Sequence, residues 1–423
     1  MHRRSFLALT GGSGLVATAG CLTRIPGLDL GSSTPPVEGR LQWGYDAGSS
    51  DYAAGMSGPS SQPSHQRLYS EMQGIPVITD DTLYTPTAAY SVDGTRQWTQ
   101  SAPVEGGRLR SAIFEGSIIC AGRDPRMVWA QDLADGAEQW RLELPAYRRE
   151  TQAGASVASM PQQWLTVANE QAYFSTGIGI NGVDLHDPTE RWHTDLHQQE
   201  TENPPGFRAP AAIDGQVVTV NRYALHDLPP VVYALDQTNG DVTWTAEIEG
   251  DAFAAGPPTA VDDTVYVMSP VNDPPDVEGD HQWTQVTAID AADGETRWRT
   301  AVDGPSEGHV AVGDGTVYVG HGKLNDPPKV TAIDSTDGSI RWTGNTGSRI
   351  IFITIAEDRL YVFNSIFLHA IRRSDGETVW EINLIETLEG IAENTDPGLV
   401  ICPPVVYEDR LFITYRHGVA GLW

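Results

Sequence analysis

The sequence predicts an all-β fold: an eight-bladed β-propeller of four-stranded antiparallel blades, its ring closed by N- and C-terminal strands in one blade. Three observations lead there. First, an Asp-Gly or Asn-Gly pair is followed four residues after the Gly by a Trp in Asp93-Gly94 to Trp98, Asp135-Gly136 to Trp140, Asn239-Gly240 to Trp244, Asp293-Gly294 to Trp298, Asp337-Gly338 to Trp342 and Asp375-Gly376 to Trp380. Asp187-Pro188 to Trp192 is a degenerate copy, and Trp43 stands apart with no Asp-Gly before it. Second, each Trp is preceded by two apolar, β-branched runs flanking an acidic or glycine-containing pair, most clearly over residues 260–267. Third, the spacing is roughly 40 to 50 residues per unit of short strands, which is the signature of a propeller.

Each element follows from residue type. Asp, Asn and Gly tolerate the positive φ of tight hairpin turns, so the paired runs read as strands A and B. Relatives of 260–267 occur at 212–220, 311–319, 355–362 and 405–413, with weaker copies at 76–84, 112–120 and 166–174. A third run, as in residues 231–236, 286–290 and 330–334, is strand C, and the segment carrying the Trp is strand D. A large ring on D fills the space between adjoining blades, and a four-stranded sheet that cannot bury both faces alone does so by stacking. The last unit ends after strand C, at Gly418 to Trp423. Residues 41–45, Leu-Gln-Trp-Gly-Tyr, are expected to supply its missing strand D. The stretch from Tyr147 to Trp164 has no clear repeat pattern.

Residues 1–20 read as a twin-arginine-type signal peptide, with Arg3 and Arg4 before Phe6-Leu7, a short apolar core and a small-residue end. The core is too short to span a bilayer as a mature helix. Ala19-Gly20-Cys21 resembles a lipobox, so Cys21 is expected as a lipidation site; an ordinary cleaved signal with an incidental Cys is the alternative. Residues 21–40, rich in Pro, Gly and Ser, are expected as a lipid-anchored flexible linker, and residues 41–423 as the propeller. The expected location is the outer face of the cytoplasmic membrane, reached by export.

The formal net charge is −29, from 56 acidic and 27 basic residues, and the only lysines are Lys323 and Lys329. Such a surface suits molar salt, where the Debye length is about 3 Å and self-repulsion is screened. The expectation is a halophilic source, specifically a haloarchaeal exported lipoprotein; an acidic surface for a basic partner is the alternative. The sign of the charge excludes phosphate tracking, so no nucleic acid is expected. Cys120 and Cys402 fall on blades two and eight with blade one between them. They read as buried small side chains, and no spacing suggests a structural metal.

The A–B and C–D turns share one face of such a ring, and the B–C and D–A connections share the other. Long segments lie on the second face. Related B–C insertions in blades four to six carry Asp227, Asp273 and Asp326. Variable loops on one rim of a rigid scaffold are where function usually sits. The D–A connections carry Arg110, Arg208, His309 and Arg349 into the channel, where they can hold an anionic ligand or pair with neighbouring acids. The loop acids Asp273, Asp276, Glu278, Asp280 and Asp326 offer oxygen ligands but lack the spacing of a calcium loop. No nucleophile triad, phosphate loop or paired-carboxylate motif emerges, so no catalytic residue is assigned.

The stretch from Gly256-Pro257-Pro258 to Trp298, and that from Val310 to Trp342, resemble the pyrroloquinoline-quinone-type (BamB-like) propeller repeat. Gln42-Trp43-Gly44-Tyr45-Asp46 with Gly55-Met56-Ser57-Gly58-Pro59 resembles the N-terminal segment of the same proteins. One branch of that family implies a lipid-anchored, non-catalytic assembly scaffold. The other implies quinoprotein alcohol dehydrogenases, which hold the quinone above the channel with calcium, an Asp base and a ring of two adjacent cysteines. This chain has no adjacent Cys pair. The expectation is therefore a non-enzymatic binding or scaffolding propeller, a monomer anchored through lipid on Cys21. Its protein or small-molecule ligand is unknown, and no cofactor or metal is expected. The alternative is a quinone (PQQ)-dependent dehydrogenase of alcohols or sugars, with PQQ and calcium as cofactors.

Overall fold

The computed structural model describes residues 39–40, 42, 46, 49–103, 109–122, 127–144, 147–150, 156–159, 165–189, 191–196, 206–222, 229–252, 255–271, 283–306, 308–322, 328–346, 352–363, 366–389, 403–415 and 418–423. Eight sheets form the blades, and each pairs its strands in the order A-B-C-D. Blade 1 comprises Val77–Thr79, Thr82–Thr85, Ala88–Ser91 and Arg96–Thr99; blade 2 comprises Arg110–Phe114, Ser117–Gly122, Met127–Asp132 and Glu138–Glu143. Blade 3 is Leu165–Ala168, Gln171–Ser175, Gly179–Asp184 and Arg191–Asp195; blade 4 is Ala211–Ile213, Gln216–Arg222, Val231–Asp236 and Val242–Glu247. Blade 5 is Thr259–Val261, Thr264–Val271, Trp283–Asp290 and Thr296–Asp303; blade 6 is Ala311–Gly313, Thr316–His321, Lys329–Asp334 and Ile340–Asn345. Blade 7 is Phe352–Ile355, Arg359–Phe363, Phe367–Arg372 and Thr378–Asn383, followed by a short helix, Leu384–Glu389. The irregular stretch between blades 2 and 3 contains a separate hairpin, Tyr147–Glu150 paired with Ser156–Ser159.

The core lies between blades, as the stacking argument requires. One buried cluster joins Val218, Val232, Trp244, Ala260, Val265 and Ile289 from blades 4 and 5. Five of the interfaces repeat one device among the described residues. The Trp298 indole Nε1 of blade 5 donates to the Ser335 carbonyl of blade 6 at 2.9 Å, and Trp98, Trp192, Trp244 and Trp342 do the same to the next blade. The ring then lies on the Gly of the next C–D turn. At Gly338, where φ is +75°, an added Cβ would sit 2.7 Å from Trp298 Cε3. Gly338→Ala therefore combines a left-handed backbone with overpacking. It should lower unfolding free energy by about 1–3 kcal/mol in denaturant melts.

The ring closes between the chain ends, but not through the segment expected. Blade 8 is Val405–Tyr407, Arg410–Tyr415 and Gly418–Leu422, with Gln66–Ser70 as its strand D. Of residues 41–45 only Gln42 is described, and it bonds blade 3. Gln66–Ser70 wins for two physical reasons. It stands seven residues before strand A of blade 1 (77 − 70), a normal short D–A connection, whereas residue 45 would leave a loop of about 30 residues. Tyr69 also does the work of the Trp: it is fully buried and its hydroxyl donates to the Val92 carbonyl at 2.7 Å. Arg410 donates to the same carbonyl at 2.9 Å. Arg410 and Arg67 cover the Trp423 ring at 5.4 Å and 5.7 Å.

Acid titration should reveal the polar half of this packing. Burial lowers the His321 and His369 pKa values below the ordinary 6.5. The Arg297 guanidinium holds Asp263 down to about 2, and Arg341 does so for Asp334. All four folded-state values are depressed, so their stabilisation is complete above the unfolded values and is lost as pH falls through the folded ones. The thermal midpoint is expected to decline below about pH 6.5 and again between about pH 4 and 2. A midpoint flat from pH 8 to 3 would contradict these pairings.

Candidate functional site

Eight inner strands surround the central channel, each running from the D–A face towards its A–B turn. The N-terminal segment lies across the channel at the A–B-turn end. Gly39 pairs with Thr79 and Arg40 with Ile78, adding a fifth strand inside blade 1. Gln42 then meets blade 3: its amide nitrogen donates to the Val167 carbonyl at 3.1 Å, and its amide oxygen accepts the Val167 N–H at 2.8 Å. Further along, Ser50 accepts from Val312 N–H of blade 6 at 2.8 Å, and Asp51 accepts from Ile355 N–H of blade 7 at 2.9 Å. Every one of these partners stands within two residues of an A–B turn. Gln42, Asp46, Ser49, Ser50, Asp51 and Ala53 are all buried. The segment is a strap over one mouth of the channel.

Local chemistry shapes the strap. Asp46 accepts the Ser50 N–H at 3.0 Å and the Ser50 hydroxyl at 2.5 Å, tying Ser50 back to Asp46. Ser49 and Asp51 take left-handed φ values of 58° and 55°, conformations that persist only where surroundings hold them. Tyr52 leaves the channel between blades 6 and 7. Its hydroxyl donates to Asp314 Oδ2 at 2.6 Å, and the Arg373 guanidinium stacks 5.6 Å over its ring. Burial, then the Asp314 hydrogen bond, push the Tyr52 hydroxyl up to about 12. The chain then follows the turns: Glu357 N–H donates to Met56 O at 2.8 Å and Gly58 N–H to Glu408 O at 2.7 Å. From there it reaches the outer rim as strand D of blade 8.

Of the four channel cations expected from sequence, three fall among the described residues. Arg110 is the first residue of strand A in blade 2 and is buried. Arg208 precedes strand A of blade 4, its N–H donating to Val220 O at 2.9 Å. His309 precedes strand A of blade 6. The three belong to alternate blades and stand at or just before the starts of their inner strands. His309 meets the strap: its Nε2 contacts Asp51 Oδ2, and both residues are buried. The other Asp51 oxygen, Oδ1, is buried without a hydrogen-bond partner among the described residues. Arg349, Asp227, Asp273 and Asp326 lie outside the described residues, as do Arg3, Arg4, Cys21 and Cys402; Cys120 is a buried free thiol. Sequence reasoning missed Asp51 because nothing in a Ser-Ser-Asp stretch marks it as the partner of a His 258 residues away.

The resemblance raised quinone and calcium, and several of the loop acids that could serve them lie outside the described residues. Among the described residues no three carboxylate, imidazole or thiol side chains converge as metal ligands. The buried His309 imidazole is engaged by the chain's own Asp51 carboxylate. Nor is any helix among the described residues long and apolar enough to cross a membrane.

Known proteins place the fold. The family model described as "Outer membrane protein assembly factor BamB" matches residues 64–229 and 228–421. No curated protein matches the chain. Among solved structures it is similar to BamB from Moraxella catarrhalis, at 16% identity and a TM-score of 0.55, covering 85% of this chain and 98% of that one. It is also similar to the quinohemoprotein alcohol dehydrogenase ADHIIG from Pseudomonas putida HK5, at 12% identity and a TM-score of 0.61, covering 91% and 80%. The corresponding enzyme from Comamonas testosteroni gives 12% and 0.61, covering 92% and 78%. Identities this low establish a shared fold and leave activity open.

Proposed function

Because the chain belongs to the family of the outer membrane protein assembly factor BamB, we propose that it is a non-enzymatic binding or scaffolding propeller. It is held at the outer face of the cell membrane by lipid on Cys21 and works in high salt as a haloarchaeal exported protein. One observation carries the non-enzymatic reading. The strap's described residues cross one channel mouth, with backbone bonds to blades 1, 6 and 7, the Gln42 side chain on blade 3 and Asp51 on His309. A channel mouth spanned by the chain's own residues stiffens the ring, and this reading leaves recognition to the rim loops. The B–C insertions bearing Asp227, Asp273 and Asp326 are the surface assigned to a protein partner.

The competing reading is a quinone-dependent dehydrogenase, favoured only by the shared fold. Titration of the purified protein with pyrroloquinoline quinone and calcium in molar salt separates the two. The scaffold reading expects no saturable quenching and no dye-linked oxidation of alcohols or sugars. Saturable binding with turnover would replace it. Affinity capture in high salt, repeated with Asp227, Asp273 and Asp326 changed to Ala, then tests the partner face; capture unaffected by the triple substitution would move the site elsewhere.

A further inference from the structure

We propose that the tethered propeller hangs with its A–B and C–D turns towards the membrane and its B–C and D–A loops facing away. The inference rests on the Cys21 anchor proposed above and adds to it an orientation.

The argument starts from where the chain enters the ring. Gly39 is opposite Thr79, the last residue of strand A in blade 1, beside the Asp80-Asp81 turn. Arg40, opposite Ile78, lies one residue deeper. The chain direction is thus inward from the A–B-turn face, and whatever precedes residue 39 approaches from that side. The strap also leaves by that side, through Tyr52, Met56 and Gly58. Its described residues bond close to the A–B turns, on the side from which residue 39 enters.

Reach decides the rest. Residues 21–38 span at most about 65 Å if fully extended. To put the anchor on the opposite side, this stretch must run from the channel to the rim and then along a blade edge. Four strands at about 4.8 Å spacing and strands about 20 Å long make that path at least about 40 Å, before any clearance over loops. A chain held near full extension loses most of its conformations, whereas an anchor on the A–B side imposes no such stretch. The acidic turns on that face do not reverse the preference in molar salt, where charges more than about 3 Å apart are screened.

The consequence is functional. The face carrying the B–C insertions and the Tyr147–Glu150 hairpin stands farthest from the bilayer, open to exported partners.

The test reads two sites on blade 7. Ser374 is exposed on its C–D turn, and Ile366 is exposed at 42% on its B–C connection. A fluorescent amino acid replaces one or the other in the full chain, with Cys120→Ala and Cys402→Ala. The Cys21 thiol is coupled to a maleimide lipid in vesicles whose headgroups carry an energy-transfer acceptor, in molar salt. Transfer from position 374 is expected to exceed that from 366 by at least about twofold. Equal transfer, or the reverse order, overturns the proposed orientation. Because the anchor is made chemically, this result does not depend on what the cell does. Mass spectrometry of native protein answers that separately: an unlipidated Cys21 removes the anchor and leaves the geometry of the coupled protein as measured.

Discussion

His309→Ala is expected to destabilise the folded chain by about 2–3 kcal/mol, the upper end of the cost of leaving a buried polar group without its partner. Asp51 is fully buried, and its Oδ1 already lacks a hydrogen-bond partner among the described residues. Without the His309 imidazole its Oδ2 loses that contact too. The strap has two ways to respond, unfolding with the ring or leaving the channel alone. Denaturant melts in high salt register the first, and faster proteolysis near residues 39–58 registers the second. The double variant Asp51→Ala with His309→Ala should recover much of the loss, because it removes the stranded carboxylate as well as its partner. A single variant within about 1 kcal/mol of the parent, with an unchanged proteolysis rate, would mean that the pair does not hold the strap.

The second large effect lies at the seam. Tyr69→Ala removes a fully buried ring that meets Tyr90 edge-on at 5.7 Å and Phe412 at 5.9 Å, and that bonds the Val92 carbonyl. Large-to-small substitution of a buried aromatic costs about 3–5 kcal/mol. Here it strikes the one interface where strand D is held to its blade by pairing between remote parts of the chain. Gln66 pairs with Leu422 and Ser70 with Gly418. Deleting residues 1–45 leaves that strand in place and should preserve cooperative unfolding, at reduced stability. Deleting residues 1–70 removes it and should abolish the folded ring. If both deletions behaved alike, Gln66–Ser70 would not be the closing strand.

Most of the ring was legible in the residues. The Asp-Gly turns and the Trp four positions on are local signals, set by φ and by ring size. Each reappears at the expected place: Gly294 with φ +80°, Trp298 on strand D, its indole on the next blade. The closing strand was misplaced because Trp43 looks like the other strand D residues, while Arg67 and Tyr69, which do the work, match no repeat. Loop length was the available signal. At the channel, the positions of Arg110, Arg208 and His309 at the starts of inner strands were legible, since strand boundaries are local. The partner of His309 was not.

The sequence by itself determined the blade, its four strands, its turns and the number of repeats, because each depends on interactions within some 40 residues and on a side-chain period of two. It also determined the charge and the absence of an adjacent Cys pair. Only the tertiary structure decided which terminal segment closes the ring and which lies in the channel. Both segments are short, polar-flanked and compatible with either place. The choice depends on contacts between residues hundreds of positions apart, such as Asp51 with His309 and Tyr52 with Asp314, and a linear pattern carries no record of them.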